Sequence, residues 1–141
     1  MKLPDHITSP TPLFDMWHAW AKDCAPRYNA ELTMLSAICT FGCIMGRRYE
    51  GPTGLRANTY AMVLALTGAG KDVVKRMGQT LMRSVNRDDC IGASKWGSDS
   101  GMIMEISRSK EIIWFADEFS SYLHMWRNPQ CSGYMNNIKI M

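Results

Sequence analysis

The chain has no apolar run of the ~20 residues that a bilayer crossing takes. Its nearest approach is the uncharged stretch Leu32 to Gly46, fifteen residues interrupted by Thr33, Ser36, Thr40 and Gly42, which predicts a buried helix in place of a membrane span. Histidine is scarce: the three residues at 6, 18 and 124 are isolated and match no metal-ligand spacing. The five cysteines (24, 39, 43, 90 and 131) include no C-x-x-C pair. Cys39 and Cys43, four apart, share a helix face as small core residues. An odd cysteine count, and Pro4, Asp5 and His6 where a signal peptide would be apolar, argue against secretion and predict a cytoplasmic location. Charge of one sign is also lacking. A net charge of +3 suits an ordinary soluble domain better than a dedicated nucleic-acid surface. There is no internal repeat and no low-complexity segment.

What is present divides into two parts, a helical N-terminal segment over 1–50 and a candidate nucleotide-binding core over 51–141. Residues 1–12, with three prolines, read as an extended arm. Leu13, Met16, Trp17 and Trp20 have the i, i+3, i+4, i+7 spacing of an amphipathic helix face, and Pro26 ends that helix. Ala30 to Arg48 predicts a second, largely buried helix closed by the basic pair Arg47–Arg48. Glu50 to Gly54 is a turn. Tyr60 to Leu66, apolar on both faces, predicts a parallel strand covered by helices on both sides. Lys71 to about Ser84 predicts a helix with Met77, Leu81 and Val85 on one stripe and Lys75, Arg76 and Arg83 solvated. A short strand is expected within 87–92. A short helix carries Met102, Ile103 and Ile106, with Ser98, Asp99 or Ser100 as its cap. A strand is expected over 111–116, and a helix over 119–126. Arg47, Arg48 and Arg56 read as solvated or helix-end residues.

The most informative segment is Thr67-Gly-Ala-Gly-Lys-Asp72. A glycine turn between a strand and a helix points backbone N–H groups into one concavity. The helix N-terminus adds its positive end there, and Lys71 adds a full charge. This is close to the phosphate-loop pattern G-x-x-x-x-G-K-[ST]. Ala65 stands in the first glycine position, and Asp72 replaces the hydroxyl residue that touches Mg²⁺. Downstream, Glu111-Ile-Ile-Trp-Phe-Ala-Asp-Glu118 is an apolar run ending in two carboxylates. A buried strand delivering an acidic pair opposite a phosphate loop is what a Mg²⁺-dependent NTPase requires. The expected fold class is therefore α/β, a P-loop NTPase-like parallel sheet, incomplete, with a helical N-terminal segment. Only 23 residues follow Glu118, fewer than one further βα unit of ~30 residues, so the chain reads as the front portion of a larger ATPase or a truncated relative.

Gly51-Pro-Thr-Gly-Leu-Arg-Ala-Asn-Thr-Tyr60, the run into Thr67–Asp72, Ser100-Gly-Met102 and Asp117-Glu-Phe-Ser120 together resemble a group of phage and prophage P-loop proteins described as primase–helicase-like or replicative ATPases. The likeness spans roughly residues 30–128. An acidic residue after the lysine is common in that group, so Asp72 fits it; Ser120 replaces the group's usual glycine. The resemblance implies ATP binding and Mg²⁺-dependent hydrolysis coupled to work on DNA, with subunits assembling as a ring. Carried over residue by residue, Thr67, Gly68, Ala69, Gly70, Lys71 and Asp72 bind the nucleotide. Lys71 and Glu118 are catalytic, Lys71 neutralising the β- and γ-phosphates and Glu118 orienting water, and Asp117 and Asp72 are the Mg²⁺ ligands. The residues alone leave three roles open for Asp72: a metal ligand, a ligand of metal-bound water, or a helix-capping carboxylate. Two functions stay open as well, a hydrolysing motor domain and a nucleotide-binding module that does not hydrolyse. A small-molecule kinase on the same loop would need an acceptor site and an arginine-rich lid, for which no segment is found.

Overall fold

A computed structural model describes Pro4, Ile7, residues 9–95 and 99–116, and Ser120. Four helices carry the regular structure of the described residues: α1 (Pro12–Cys24), α2 (Ala30–Met45), α3 (Lys71–Ser84) and α4 (Asp99–Arg108). A single 3-10 turn, Asp88–Cys90, lies between α3 and α4. Chain contacts separate two compact units, one ending at Asp88 and the other beginning at Asp89.

In the first unit α1, α2 and α3 pack on one another. Pro12 occupies the first turn of α1, where a missing N–H costs nothing. The helix ends at Cys24, two residues before Pro26, as the sequence predicts. Its buried face is one position away from the expected one. Trp17, His18 and Ala21 are buried and Phe14 packs beside them, whereas Leu13 and Met16 face solvent. Trp17 anchors the core. Its indole N–H donates to the Thr33 carbonyl at 3.1 Å, and its ring meets Trp20 and Phe41 edge-on at 5.4 and 5.2 Å.

Asn29 caps α2, accepting the Leu32 N–H at 2.9 Å. Gly46, at φ 52°, closes the helix at Met45, three residues short of the expected end, so Arg47 and Arg48 follow it. The residues that break the hydrophobicity of this segment are the buried ones. Thr33, Ser36, Ala37 and Thr40 form a small stripe, and Gly42 is buried on the opposite side of the helix. The Ser36 hydroxyl donates to the Val74 carbonyl of α3 at 2.9 Å, and an added Cβ at Gly42 would sit 3.1 Å from the Ala57 carbonyl oxygen. Cys39 and Cys43, expected in the core, are half-buried. No helix of the described residues is long and apolar enough to cross a membrane.

Helix α3 runs over the predicted bounds. It buries Val73, Met77, Gly78 and Met82, with Leu81 packed at the edge and Val85 exposed. Asn86, in the left-handed region at φ 55°, turns the chain out of the helix, and the Arg87 N–H returns to the Met82 carbonyl at 2.8 Å.

The expected α/β fold with a parallel sheet is not found: the described residues contain no strand. Tyr60–Leu66 has no ladder partner and lies largely in solvent, Leu64 and Leu66 being 87% and 86% exposed. The physical reason is that a strand is defined by what it pairs with. Residues 60–66 have strand composition, yet no second extended segment lies beside them among the described residues. The two other expected strands reduce to one parallel bridge in the second unit, Ile91 to Ile113. There the Gly92 N–H donates to the Ile113 carbonyl at 3.0 Å, and the Ile113 N–H to the Cys90 carbonyl at 2.8 Å. Helix α4 contains the predicted Met102, Ile103 and Ile106, of which Met102 is buried. Its Glu105 accepts the Ala93 N–H at 2.6 Å and the Trp114 indole N–H at 2.9 Å, tying the bridge to the helix. The expected helix over 119–126 lies outside the described residues except for Ser120.

Candidate phosphate-binding turn

Six of the eight sequence-predicted site residues, Thr67 to Asp72, are contiguous and described. Gly68 and Gly70 both adopt positive φ, 79° and 90°, conformations that an L side chain resists. Gly70 is the N-cap of α3 and has no side chain with which to satisfy the helix's first amides. The Ala69 N–H donates to the Leu66 carbonyl at 3.2 Å, and the Val73 N–H to the Gly70 carbonyl at 3.1 Å, so the turn is closed on itself at both ends. Lys71 opens the helix. Its ammonium reaches back across the turn and donates to the Ala65 carbonyl at 3.1 Å. The residue in the position of the motif's missing first glycine thus supplies a main-chain acceptor to the lysine. Asp72 is exposed in the first turn of α3, where its charge complements the helix dipole.

The turn is docked on the α1–α2 connection, which sequence reasoning did not associate with it. The Arg27 carbonyl oxygen lies 2.8 Å from where a Cβ on Gly70 would be. The Arg27 guanidinium lies 3.9 Å from the Cβ position of Gly68. Pro26 to Asn29 are held in place by three bonds: the Ala25 N–H to the Ala21 carbonyl, the Tyr28 hydroxyl to His18 Nδ1 at 2.7 Å, and the Asn29 cap. No local motif marks Arg27. More than 40 residues separate it from the glycines, and only the packing of α1, α2 and α3 brings it there.

Between this connection and the turn lies a small crevice of about 10 Å³, room for about one water, lined by Ala25, Asn29, Thr33 and Gly70 among others. That is less than the several hundred Å³ of a typical small-molecule pocket. Among the described residues, no group of three His, Cys, Asp or Glu side chains could hold a metal ion. Asp117 and Glu118, the expected metal ligand and water-orienting residue, lie outside the described residues. Comparison of the chain with protein-family models, with curated proteins and with solved structures found no match.

Proposed function

We propose that this chain binds the triphosphate of a nucleotide, ATP in the first instance, at the turn Thr67–Asp72. The observation that carries this reading is the conjunction of two left-handed glycines with a lysine at the first position of an uncapped helix. Positive φ at Gly68 and Gly70 shapes the backbone around a concavity, and the helix N-terminus favours negative charge in it. The Lys71 ammonium, which donates to a neutral carbonyl at 3.1 Å, would exchange that acceptor for a phosphate oxygen and gain the stronger charge-assisted bond. Asp72 offers a hard carboxylate oxygen beside this site, the donor type Mg²⁺ takes, and Asp117 is the second residue that would hold the ion. Bound Mg²⁺ would neutralise charge on the β- and γ-phosphates. Glu118 would accept a hydrogen bond from the attacking water and orient it. Work on DNA and assembly as a ring follow from the resemblance of residues 30–128 to phage replication ATPases and rest on it alone, and a cytoplasmic setting follows from the odd cysteine count.

A second reading, a nucleotide-binding module without hydrolysis, is favoured by one finding: the described residues contain no sheet to carry Asp117 and Glu118 beside the turn. Titration with Mg²⁺–ATP tests both. Lys71→Ala should abolish binding, a loss of at least about a hundredfold; unchanged affinity in that variant refutes the phosphate site. Glu118→Gln separates the two readings. Mg²⁺-dependent phosphate release that this change removes establishes hydrolysis, and its absence in the wild type leaves the binding module.

A further inference from the structure

Resting on the phosphate reading of the turn, we infer that Arg27 is its second cation, contributed by the α1–α2 connection and specific to the negative charge of a polyphosphate. Three observations lead to it. First, the connection touches the turn through its backbone: the Arg27 carbonyl oxygen stands 2.8 Å from the Cβ position of Gly70, so the arginine is fixed relative to the glycines at its root. Second, its guanidinium flanks Gly68 at 3.9 Å from the Cβ position, on the turn whose other cation is Lys71. Third, Arg27 is exposed and makes no ion pair with any described residue, whereas Arg56 pairs with Glu50 at 3.2 Å and Arg83 with Asp88 at 3.6 Å. An arginine held beside an anion-favouring turn, with its five N–H donors uncommitted to a carboxylate, is equipped to bind phosphate oxygens bidentately. Lys71 and Arg27 would then contact the chain of phosphates from two sides, one from the helix and one from the helical hairpin. Because α1 and α2 position Arg27, the helical segment becomes part of the ligand site as well as its support.

The ligand class is a polyphosphate, and inorganic tripolyphosphate is the probe that isolates it from any contact with a base. Binding of tripolyphosphate and of Mg²⁺–ATP is measured for the wild type, Arg27→Ala, Arg27→Lys, Lys71→Ala and Arg83→Ala. Arg83 is the charge control. It lies at the far end of α3, about 18 Å from Lys71 at 1.5 Å per residue. Arg27→Ala should weaken both ligands about tenfold or more, with Arg27→Lys recovering part of the loss, and Arg83→Ala should change neither by more than about twofold. Affinity within twofold of the wild type in Arg27→Ala, together with lost binding in Lys71→Ala, overturns the role of Arg27 and leaves the phosphate site standing. Unchanged binding in Lys71→Ala overturns the site itself. Phenylglyoxal modification of the wild-type chain decides the matter without any substitution. Tripolyphosphate should protect Arg27 and leave Arg83 reactive, and equal reactivity of Arg27 with and without ligand refutes the inference even where the Ala variant fails to fold.

Discussion

Replacing Gly70 with Ala is a stringent test of how the turn is held. At φ 90° an L residue takes on left-handed strain of about 1–2 kcal/mol. The new methyl would also stand 2.8 Å from the Arg27 carbonyl oxygen. Both partners are backbone, so relief requires moving the α1–α2 connection, which the Tyr28–His18 bond and the Asn29 cap resist. Overpacking of this kind costs about 1–3 kcal/mol. Against this, alanine reduces the freedom of the unfolded chain and returns about 0.4–1 kcal/mol. The net expectation is a loss of roughly 1–4.5 kcal/mol. With a urea dependence of about 2 kcal/mol/M, the midpoint should fall by roughly 0.5–2 M. Gly51→Ala is the matched control. Its added Cβ would meet only the Leu55 carbonyl oxygen, at 3.5 Å, and its φ is not in the left-handed region. It should stay within about 0.5 kcal/mol of the wild type. Urea unfolding followed by circular dichroism reads both. A Gly70→Ala midpoint indistinguishable from that of Gly51→Ala would refute the docking of the turn on Arg27.

Two further outcomes follow from packing and burial. In the second unit, the Trp114 indole lies against Gly92 so closely that an added Cβ would collide with it. Gly92→Ala should therefore displace the ring from Glu105 and cost about 1–3 kcal/mol, read as a lower unfolding midpoint; stability equal to the wild type would show that the indole sits elsewhere. In α2, burial raises the Cys39 thiol above its ordinary value of 9.0. Below that value the thiol is neutral in both states. Above it, the unfolded chain ionises first, so stability should fall as pH climbs past about 9, by up to about 1.4 kcal/mol per pH unit. Urea midpoints at pH 8, 9 and 10 check this against Cys39→Ser, which should lack that component; parallel declines in the two proteins would contradict it.

The helices were legible wherever a terminus has its own chemistry. Pro26 beyond Cys24 and the glycine-to-lysine step at Gly70 mark ends that hold irrespective of what packs nearby, whereas Pro12, read as part of an extended arm, in fact opens α1. The rotation of α1 was not legible. Trp17 belongs to both candidate stripes, and its companions on the buried one, His18 and Ala21, are weaker hydrophobic signals than the exposed Leu13 and Met16. Arg47 and Arg48 suited a helix end by charge, but Gly46, at φ 52°, closed the helix before them. The strand reading of 60–66 failed for a different reason. Alternation and apolar content describe a residue's own preferences, whereas a ladder needs a second segment at about 4.8 Å, which local pattern cannot report. Arg27 illustrates the same limit at the candidate site: its place beside Gly68 is a product of tertiary packing alone.

The loss of the expected sheet bears on the candidate site less than the motif's usual setting implies. Within that setting, the strand leading into the loop aims the turn. Here the preceding segment is exposed and has no ladder partner, so no sheet fixes its direction. Other contacts restrain the turn. Helix α3 is fastened to α2 through the Ser36–Val74 bond and through burial of Val73 and Met77 in the core around Trp17. The α1–α2 connection also closes against Gly70. Lys71 itself bridges the turn by donating to the Ala65 carbonyl. Gripping a phosphate chain requires that the glycines, the lysine and the helix end hold a fixed geometry, and on the proposed reading the packing of α1, α2 and α3 would supply that restraint. Hydrolysis is more demanding, because an acidic residue must also be delivered to the far side of the same phosphate. On the proposed reading, binding and hydrolysis would separate: contacts to the phosphates themselves would draw on residues that α1, α2 and α3 hold together, and hydrolysis would depend also on Asp117 and Glu118.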